Sequence, residues 1–226
     1  AALAVLQCIL ERGVSSIFSF HGSNADAEEF QQVADHVFEA AGAGDVSVQR
    51  VHGQMAPALR RRVLGEMGRG SPVLVTNARV LTTGVSVPEV DLVLLAGRQK
   101  SQISMLQAMA RAARIAPGKR CGYVLVPLGS GEGGDAGAYD AMADAMAALA
   151  SHDPNLLASL QAAGRQRVAV GRELARHEWP RALQDVVDLE SNVPLAAVER
   201  MINTVVRDVV PDWERAPGLL PNFLPL

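Results

Sequence analysis

The 226-residue sequence predicts an α/β fold, in which helices cover both faces of a parallel sheet, followed by a mainly helical C-terminal extension. The first 128 residues alternate short, wholly apolar runs with helical patterns. Such runs, separated by helices, are typical of parallel strands buried on both faces. Beyond residue 137 the pattern becomes helical, and a content of 49% hydrophobic residues is enough for a sizeable core.

Each element follows from a local signal. Apolar runs predict strands at residues 15–20, 46–51, 72–77, 91–96 and 121–127. The N-terminal apolar run predicts a packed helix rather than a signal peptide, since no basic segment precedes it. Ser23 or Asn24 is expected to cap a second helix that has Asp26 in its first turn, where an acid suits the helix dipole. Pro57 should begin a third helix to about residue 67, and residues 101–114 should form a fourth.

The glycine-rich residues 129–137 are expected to form a flexible linker between a domain at 1–128 and a helical extension at 138–226. Helical patterns in the extension lie at 139–152, 155–177 and about 195–209, and a proline-rich tail follows. The chain begins without Met, which fits a fragment of a longer protein.

Composition argues against a wholly basic nucleic-acid-binding protein, a disulfide-rich protein and a membrane-spanning protein. The net charge is −3, so any contact with nucleic acid must come from a local basic patch. Cys8 and Cys121 form neither a disulfide framework nor a metal-ligand spacing, and an intracellular location is expected. No apolar stretch is long enough to span a bilayer.

The segment SQISMLQAMARAAR holds the most informative polar residues. On a helix, Gln107, Arg111 and Arg114 share one face because they lie at positions i, i+4 and i+7. An apolar stripe adjoins that face: Ile103, Leu106, Ala110 and Ala113. Two arginines along one edge of a helix make a forked array of donors for phosphate oxygens. The alternative is a solvated helix face.

Three further segments place polar residues after predicted strands, where ligands of parallel sheets bind. Thr76 and Asn77 end one strand, and the turn from Gly84 through Ser86 to Pro88 follows it. His52 follows another strand, before a helix with three consecutive arginines, of which one is expected to support the sheet edge. A third strand brings polar candidates of its own: Ser19, His21, Ser23 and Asn24. The alternatives are an ordinary strand–loop–strand and a simple helix cap.

In order and spacing, these four segments resemble the C-terminal, second RecA-like domain of superfamily 2 helicases of the DEAD/DEAH-like type, over roughly residues 12–128. The family's last motif is usually Gln-x-x-Gly-Arg-x-x-Arg, and here Ala110 replaces its glycine. Ser86 replaces the aspartate usual in the preceding motif. Between Gly53 and Arg120, basic residues greatly outnumber acidic ones, as a cleft that faces phosphates requires.

The resemblance implies roles for these residues. Arg114 would be the arginine finger and Arg111 its partner on the γ-phosphate of ATP, and Gln107, Gly84 and Ser86 would lie near the nucleotide. The implied contacts to DNA or RNA are Ser19, His21, Ser23, Asn24, Thr76 and Asn77. Most of the contacts to ATP and Mg²⁺ would come from a first ATPase lobe, in the same parent polypeptide, because the chain has no G-x-x-x-x-G-K-[ST] phosphate loop and no Mg²⁺-binding acidic pair. No metal ligands are expected in the chain itself.

Two other readings remain open. Ser86 and Ala110 could mark a degenerate lobe that binds nucleic acid or a protein partner without hydrolysing ATP. An unrelated doubly wound domain, such as half of a glycosyltransferase, would need a sugar-nucleotide site that the sequence does not show. The helical extension resembles, weakly, the tails of some helicases that are similar to restriction enzymes.

Overall fold

The computed structural model describes residues 1–78, 90–96, 109, 112, 119, 121–127, 136–150, 153–186 and 195–209. The chain divides into two compact units, unit 1 at Ala1–Gly129 and unit 2 at Ser130–Leu226. Most of the helix predicted at 101–114 and most of the predicted linker lie outside the described residues.

Unit 1 contains a five-stranded sheet within its described residues. The strands are β1 (Ser16–Phe20), β2 (Ser47–Val51), β3 (Val73–Asn77), β4 (Leu92–Leu95) and β5 (Tyr123–Leu125). Their order is β2-β3-β1-β4-β5, and every neighbouring pair is parallel. Each strand lies within a run predicted from the sequence, and the predicted α/β fold class is confirmed.

The described residues of unit 1 include three helices with defined bounds, and local chemistry accounts for some of their ends. They are α1 (Ala2–Arg12), α2 (Asn24–Ala40) and α3 (Pro57–Leu64). The helix α1 ends at Gly13, whose φ of 66° is left-handed and favours glycine. Ser23 caps α2, because its side chain accepts a hydrogen bond of 3.1 Å from the amide of Asp26. The helix α3 ends at Leu64 rather than near residue 67.

The central strand β1 is buried along its whole length. Its two faces alternate, so Ile17 joins the core formed with α1 and α2, where Val5 and Phe38 are also buried. In the register of the sheet, Ser19 pairs with Thr76 on β3 and with Leu94 on β4. Because residues paired in register point to the same face, Ser19 and Thr76 are neighbours on the face that α2 covers.

Asp91 fastens the amino end of β1 to β4. Its carboxylate accepts hydrogen bonds from the amide of Ser15 (2.9 Å), the hydroxyl of Ser15 (3.0 Å) and the amide of Ser16 (3.0 Å). The amide of Asp91 in turn donates to the carbonyl of Ser16 at 2.8 Å. One carboxylate therefore accepts hydrogen bonds from two backbone amides at the start of the central strand.

The described residues of unit 2 form four helices and a short 3₁₀ turn at Arg176–Glu178. The helices are α4 (Ala136–Ala150), α5 (Pro154–Val170), α6 (Arg181–Val186) and α7 (Leu195–Val209). Leu160, Leu183 and Ile202 are buried in unit 2, at 0%, 0% and 1% exposure. The expectation of one helical pattern over 155–177 is wrong at its end, because α5 stops at Gly171, whose φ is 68°. The helix α7 matches the predicted bounds.

None of the helices that the structure describes is both long and apolar enough to cross a membrane.

Replacing Asp91 by Ala should lower the free energy of unfolding of unit 1 by about 2–3 kcal/mol, because hydrogen bonds to a charged acceptor are lost and the buried amide of Ser16 is left unpaired. Hydrogen exchange of the β1 and β4 amides would measure the loss. The exposed Asp45, in the turn before β2, gives the matched control Asp45→Ala. Equal protection in the two variants would show that the Asp91 carboxylate contributes no net stability.

Candidate functional site

The strand order creates a switch point at the carboxyl ends of β1 and β4. After β1 the chain runs towards the end of the strand order that holds β2, whereas after β4 it runs towards the end that holds β5. The two strands are neighbours, so the connections that leave their carboxyl ends diverge. Crevices of this kind are where open parallel sheets bind ligands. The connection from β4 to β5 contains, in sequence, both Arg111 and Arg114.

A cluster of buried polar side chains, Ser19, His21, Thr76 and Asn77, lies at the carboxyl ends of β1 and β3. We call these four residues the polar cluster. Their exposures are 0%, 4%, 0% and 0%, in that order, so the fold withdraws all four from solvent. The sequence predicted them as contacts to nucleic acid and did not anticipate this burial.

Hydrogen bonds inside the polar cluster join the two strands. The side-chain amide of Asn77 donates to the carbonyl of Ser19 at 2.9 Å. The backbone amide of His21 donates to the carbonyl of Asn77 at 2.9 Å. The His21 Nε2 and Ser19 Oγ atoms are 3.0 Å apart and share a hydrogen bond. The carboxyl ends of β1 and β3 are thus held together by side chains as well as by the sheet.

Two oxygens of the polar cluster have no hydrogen-bond partner among the residues that the structure describes. They are the Oγ1 of Thr76 and the Oδ1 of Asn77, and both are buried. Leaving a buried polar atom unpaired costs about 1–3 kcal/mol. Such atoms are rare in folded proteins, and each requires an explanation.

His21 is neutral at physiological pH. Burial lowers the pKa of its imidazole to about 4, and the carboxylate of Asp26 opposes this shift only in part. The ring also lies 4.9 Å from the ring of Phe30 on α2, between centroids. A neutral imidazole both donates and accepts hydrogen bonds, which suits the bond that it makes with Ser19.

Ser23 and Asn24 differ from the polar cluster in being exposed. They follow β1 and begin α2, and the hydroxyl of Ser23 caps that helix. The alternative interpretation of Ser23, a helix cap, therefore describes what its side chain does in the structure. Of the six predicted contacts to nucleic acid, only these two reach solvent.

Arg60 holds the loop between β2 and α3. Its Nη2 donates to the carbonyls of His52 (3.4 Å), Gly53 (3.3 Å) and Met55 (3.3 Å). Arg61 and Arg62 are exposed, which agrees with the expectation that one arginine of the three supports the sheet edge. His52 lies in the loop, as the sequence suggested.

The residues predicted to face the nucleotide lie outside the described residues: Gly84, Ser86, Gln107, Arg111 and Arg114. Inside the predicted arginine helix, Met109 and Ala112 are helical and each is 1% exposed. The apolar stripe predicted from the sequence did not include them. The ammonium group of Lys119, a residue for which no individual role was predicted, donates to the carbonyls of Val90 and Ala112.

In the described part of the chain, no group of three or more His, Cys, Asp or Glu side chains is placed to hold a metal ion.

The parallel sheet and its buried polar edge define a RecA-like α/β domain. The sequence matches the model of the helicase conserved C-terminal domain over residues 2–116. Because this match covers more than half of the chain, the chain belongs to the helicase C-terminal domain family. No curated protein sequence matches the chain.

Solved structures agree on the fold. The ATP-dependent Type ISP restriction-modification enzyme LlaBIII bound to DNA is similar with a TM-score of 0.62 and 21% identity, over 87% of this chain and 13% of that chain. The Mycobacterium smegmatis helicase Lhr, bound to ssDNA and AMP-PNP, is similar with a TM-score of 0.51 and 18% identity, over 88% of this chain and 26% of that chain. The chain therefore spans a small part of either protein. Since unit 1 ends at Gly129, both similarities extend into unit 2.

Stability should fall as the pH drops from about 6.5 towards 4, because the folded state disfavours the protonated His21 whereas the unfolded chain accepts the proton. The contribution of neutral His21 to stability is complete above pH 6.5, its pKa in the unfolded chain, and is lost as the pH falls towards about 4, its pKa in the folded protein. The slope from His21 alone is at most about 1.4 kcal/mol per pH unit. Urea unfolding at several pH values would measure it in the wild type and in His21→Gln.

In His21→Gln this part of the slope should disappear. The exposed His36 supplies the control, and His36→Gln should keep the dependence of the wild type. Identical slopes in all three proteins would contradict the burial of a neutral His21.

Proposed function

We propose that the chain is the second ATPase lobe of an ATP-dependent nucleic-acid helicase or translocase. The observation that supports this most directly is the family match, which spans residues 2–116 and so includes the segment Gln107–Arg114. In this proposal a first lobe binds most of ATP and its Mg²⁺, and the chain closes on the nucleotide. LlaBIII is bound to DNA and Lhr to ssDNA in the two similar structures, so DNA is the first nucleic acid to test.

Arg114 is the proposed arginine finger, and Arg111 binds the γ-phosphate beside it. On an α-helix, Gln107, Arg111 and Arg114 lie on the side roughly opposite Met109 and Ala112. In this proposal Met109 and Ala112 provide the buried side of the helix, and each is 1% exposed. Guanidinium groups stabilise the charge that develops on the phosphoryl oxygens during transfer. Gly84 and Ser86 would lie near the same nucleotide.

The contacts to nucleic acid divide into exposed and buried sets. Ser23 and Asn24 are exposed and can contact nucleic acid directly. The polar cluster is buried at the carboxyl ends of β1 and β3. Thr76 reaches a phosphate only when the carboxyl end of β3 opens locally, since its side chain is fully buried. Its unpaired hydroxyl is the feature that supports a role beyond folding.

In the protein that contains both lobes, Arg114→Ala should lower the ATPase rate stimulated by nucleic acid by about 10³-fold or more, with binding of nucleic acid retained. Arg69→Ala is the matched control, because Arg69 is exposed in the turns before β3, at the opposite edge of the sheet. Stimulated activity that survives Arg114→Ala would remove the finger assignment.

The departures at Ser86 and Ala110 make a second function testable in the same assay. A wild-type protein that binds nucleic acid but has no ATPase activity would identify the chain as a degenerate binding module.

Thr76→Val should leave the stability of unit 1 unchanged or raise it by about 1 kcal/mol, because Val has the same shape and the hydroxyl makes no hydrogen bond in the fold. If the hydroxyl binds a phosphate in the working protein, the affinity for DNA should fall roughly tenfold. Fluorescence anisotropy with labelled DNA would measure the affinity, and Thr204→Val in unit 2 is the control. Unchanged affinity would exclude Thr76 as a contact.

A further inference from the structure

Lys119 joins two distant segments of unit 1. Its Nζ donates to the carbonyl of Val90, which precedes β4, at 2.6 Å. The same ammonium group donates to the carbonyl of Ala112. Val90 and Ala112 are both 1% exposed, so the two carbonyls lie in the interior of the unit. A charged donor between two buried carbonyls makes stronger hydrogen bonds than a neutral donor would.

Gly122 confines Ala112 independently. A Cβ atom on Gly122 would collide with the carbonyl group of Ala112, so only glycine allows the backbone before β5 to approach so closely. Ala112 therefore has its carbonyl held by Lys119 and its backbone packed against Gly122. Its position is fixed by two contacts with the segment that leads into β5.

The position of Ala112 matters because it lies between Arg111 and Arg114 in the sequence. Any shift of its backbone must shift both neighbours, since each is within two residues along the chain. A misplacement of about 1 Å at a reacting centre can cost roughly 10²-fold in rate.

We propose that Lys119 is a positioning residue for the arginine pair Arg111 and Arg114 and acts through the backbone of Ala112. Gly122, which packs against the same backbone, limits its movement. The inference rests on the proposed function, because it assigns Lys119 a role in placing the arginine finger. It gives this lysine a role in geometry and not in binding: the ammonium faces carbonyls of its own domain.

The test compares Lys119→Met with the wild type in the protein that contains both lobes, using ATPase rates at saturating DNA. We expect kcat to fall about 10- to 100-fold, whereas the Kd for DNA stays close to that of the wild type. The thermal unfolding midpoint should fall, because two buried carbonyls lose their donor, so the rates are compared at a temperature at which both proteins are folded. Arg69→Met is the control for removal of a cation from unit 1, and it should leave kcat unchanged.

A double substitution separates positioning from a structural role. If Lys119 acts through the arginine finger, Lys119→Met should lower the rate of the Arg114→Ala protein by less than about threefold, because coupled residues are not additive. Gly122→Ala displaces Ala112 from the other side and should show the same selective loss of kcat. If Lys119→Met does not fold, Lys119→Gln, which keeps a neutral donor at this position, takes its place in the same comparison.

Three results would overturn the inference. The first is a Lys119→Met protein with the kcat of the wild type. The second is an equal loss in the wild-type and Arg114→Ala backgrounds, accompanied by weaker DNA binding, which would indicate a general structural role. The third is a Gly122→Ala protein that folds with unchanged kcat. Loss of activity in Arg114→Ala together with any of these leaves the proposed function standing, whereas full activity in Arg114→Ala removes both.

Discussion

The burial of β1 between two parallel neighbours is the constraint on which the rest of unit 1 depends. A strand with β3 on one side and β4 on the other, and with a buried face above and below, has no solvent to satisfy polar atoms. Its amino end therefore relies on the carboxylate of Asp91, and its carboxyl end relies on Asn77. Because all strands run in the same direction, their carboxyl ends lie together, and parallel sheets bind their ligands at these ends.

The sequence predicted the strands well because a strand buried on both faces is apolar at every position, a pattern that needs no knowledge of its partners. It could not predict the strand order, which depends on contacts between distant segments. The end of α5 shows a different limit. Residues 172–177 contain good helix formers, but Gly171 adopts a left-handed φ of 68°, and Arg172 pairs with Glu178 at 2.7 Å. Here a single backbone angle overrides local propensity.

The sequence predicted which polar residues follow the strands, but not that four of them are buried. Ser19 and Thr76 are register neighbours on the face beneath α2, and only the assembled sheet reveals this shared face. The roles of Asp91 and Lys119, and the choice of Arg60 among the three arginines, were not predicted for a related reason. Their side chains bind main-chain groups, which every residue possesses, so no partner residue marks them in the sequence.

Some polar atoms of the polar cluster are hydrogen-bonded and two have no partner in the described part of the chain, and only the first group is explained by folding. His21, Ser19 and the amide of Asn77 form bonds that close the edge of the sheet, and folding alone explains them. The Oγ1 of Thr76 gains nothing from the fold, since valine would fill the same space without burying an oxygen, whereas the Oδ1 of Asn77 accompanies the amide that donates to Ser19. Both atoms belong to consecutive residues at the carboxyl end of β3, the edge at which a parallel sheet meets its ligand. A hydroxyl can donate to a phosphate oxygen, whereas an amide oxygen can only accept, so of these two atoms only the Oγ1 of Thr76 suits the proposed contact to nucleic acid.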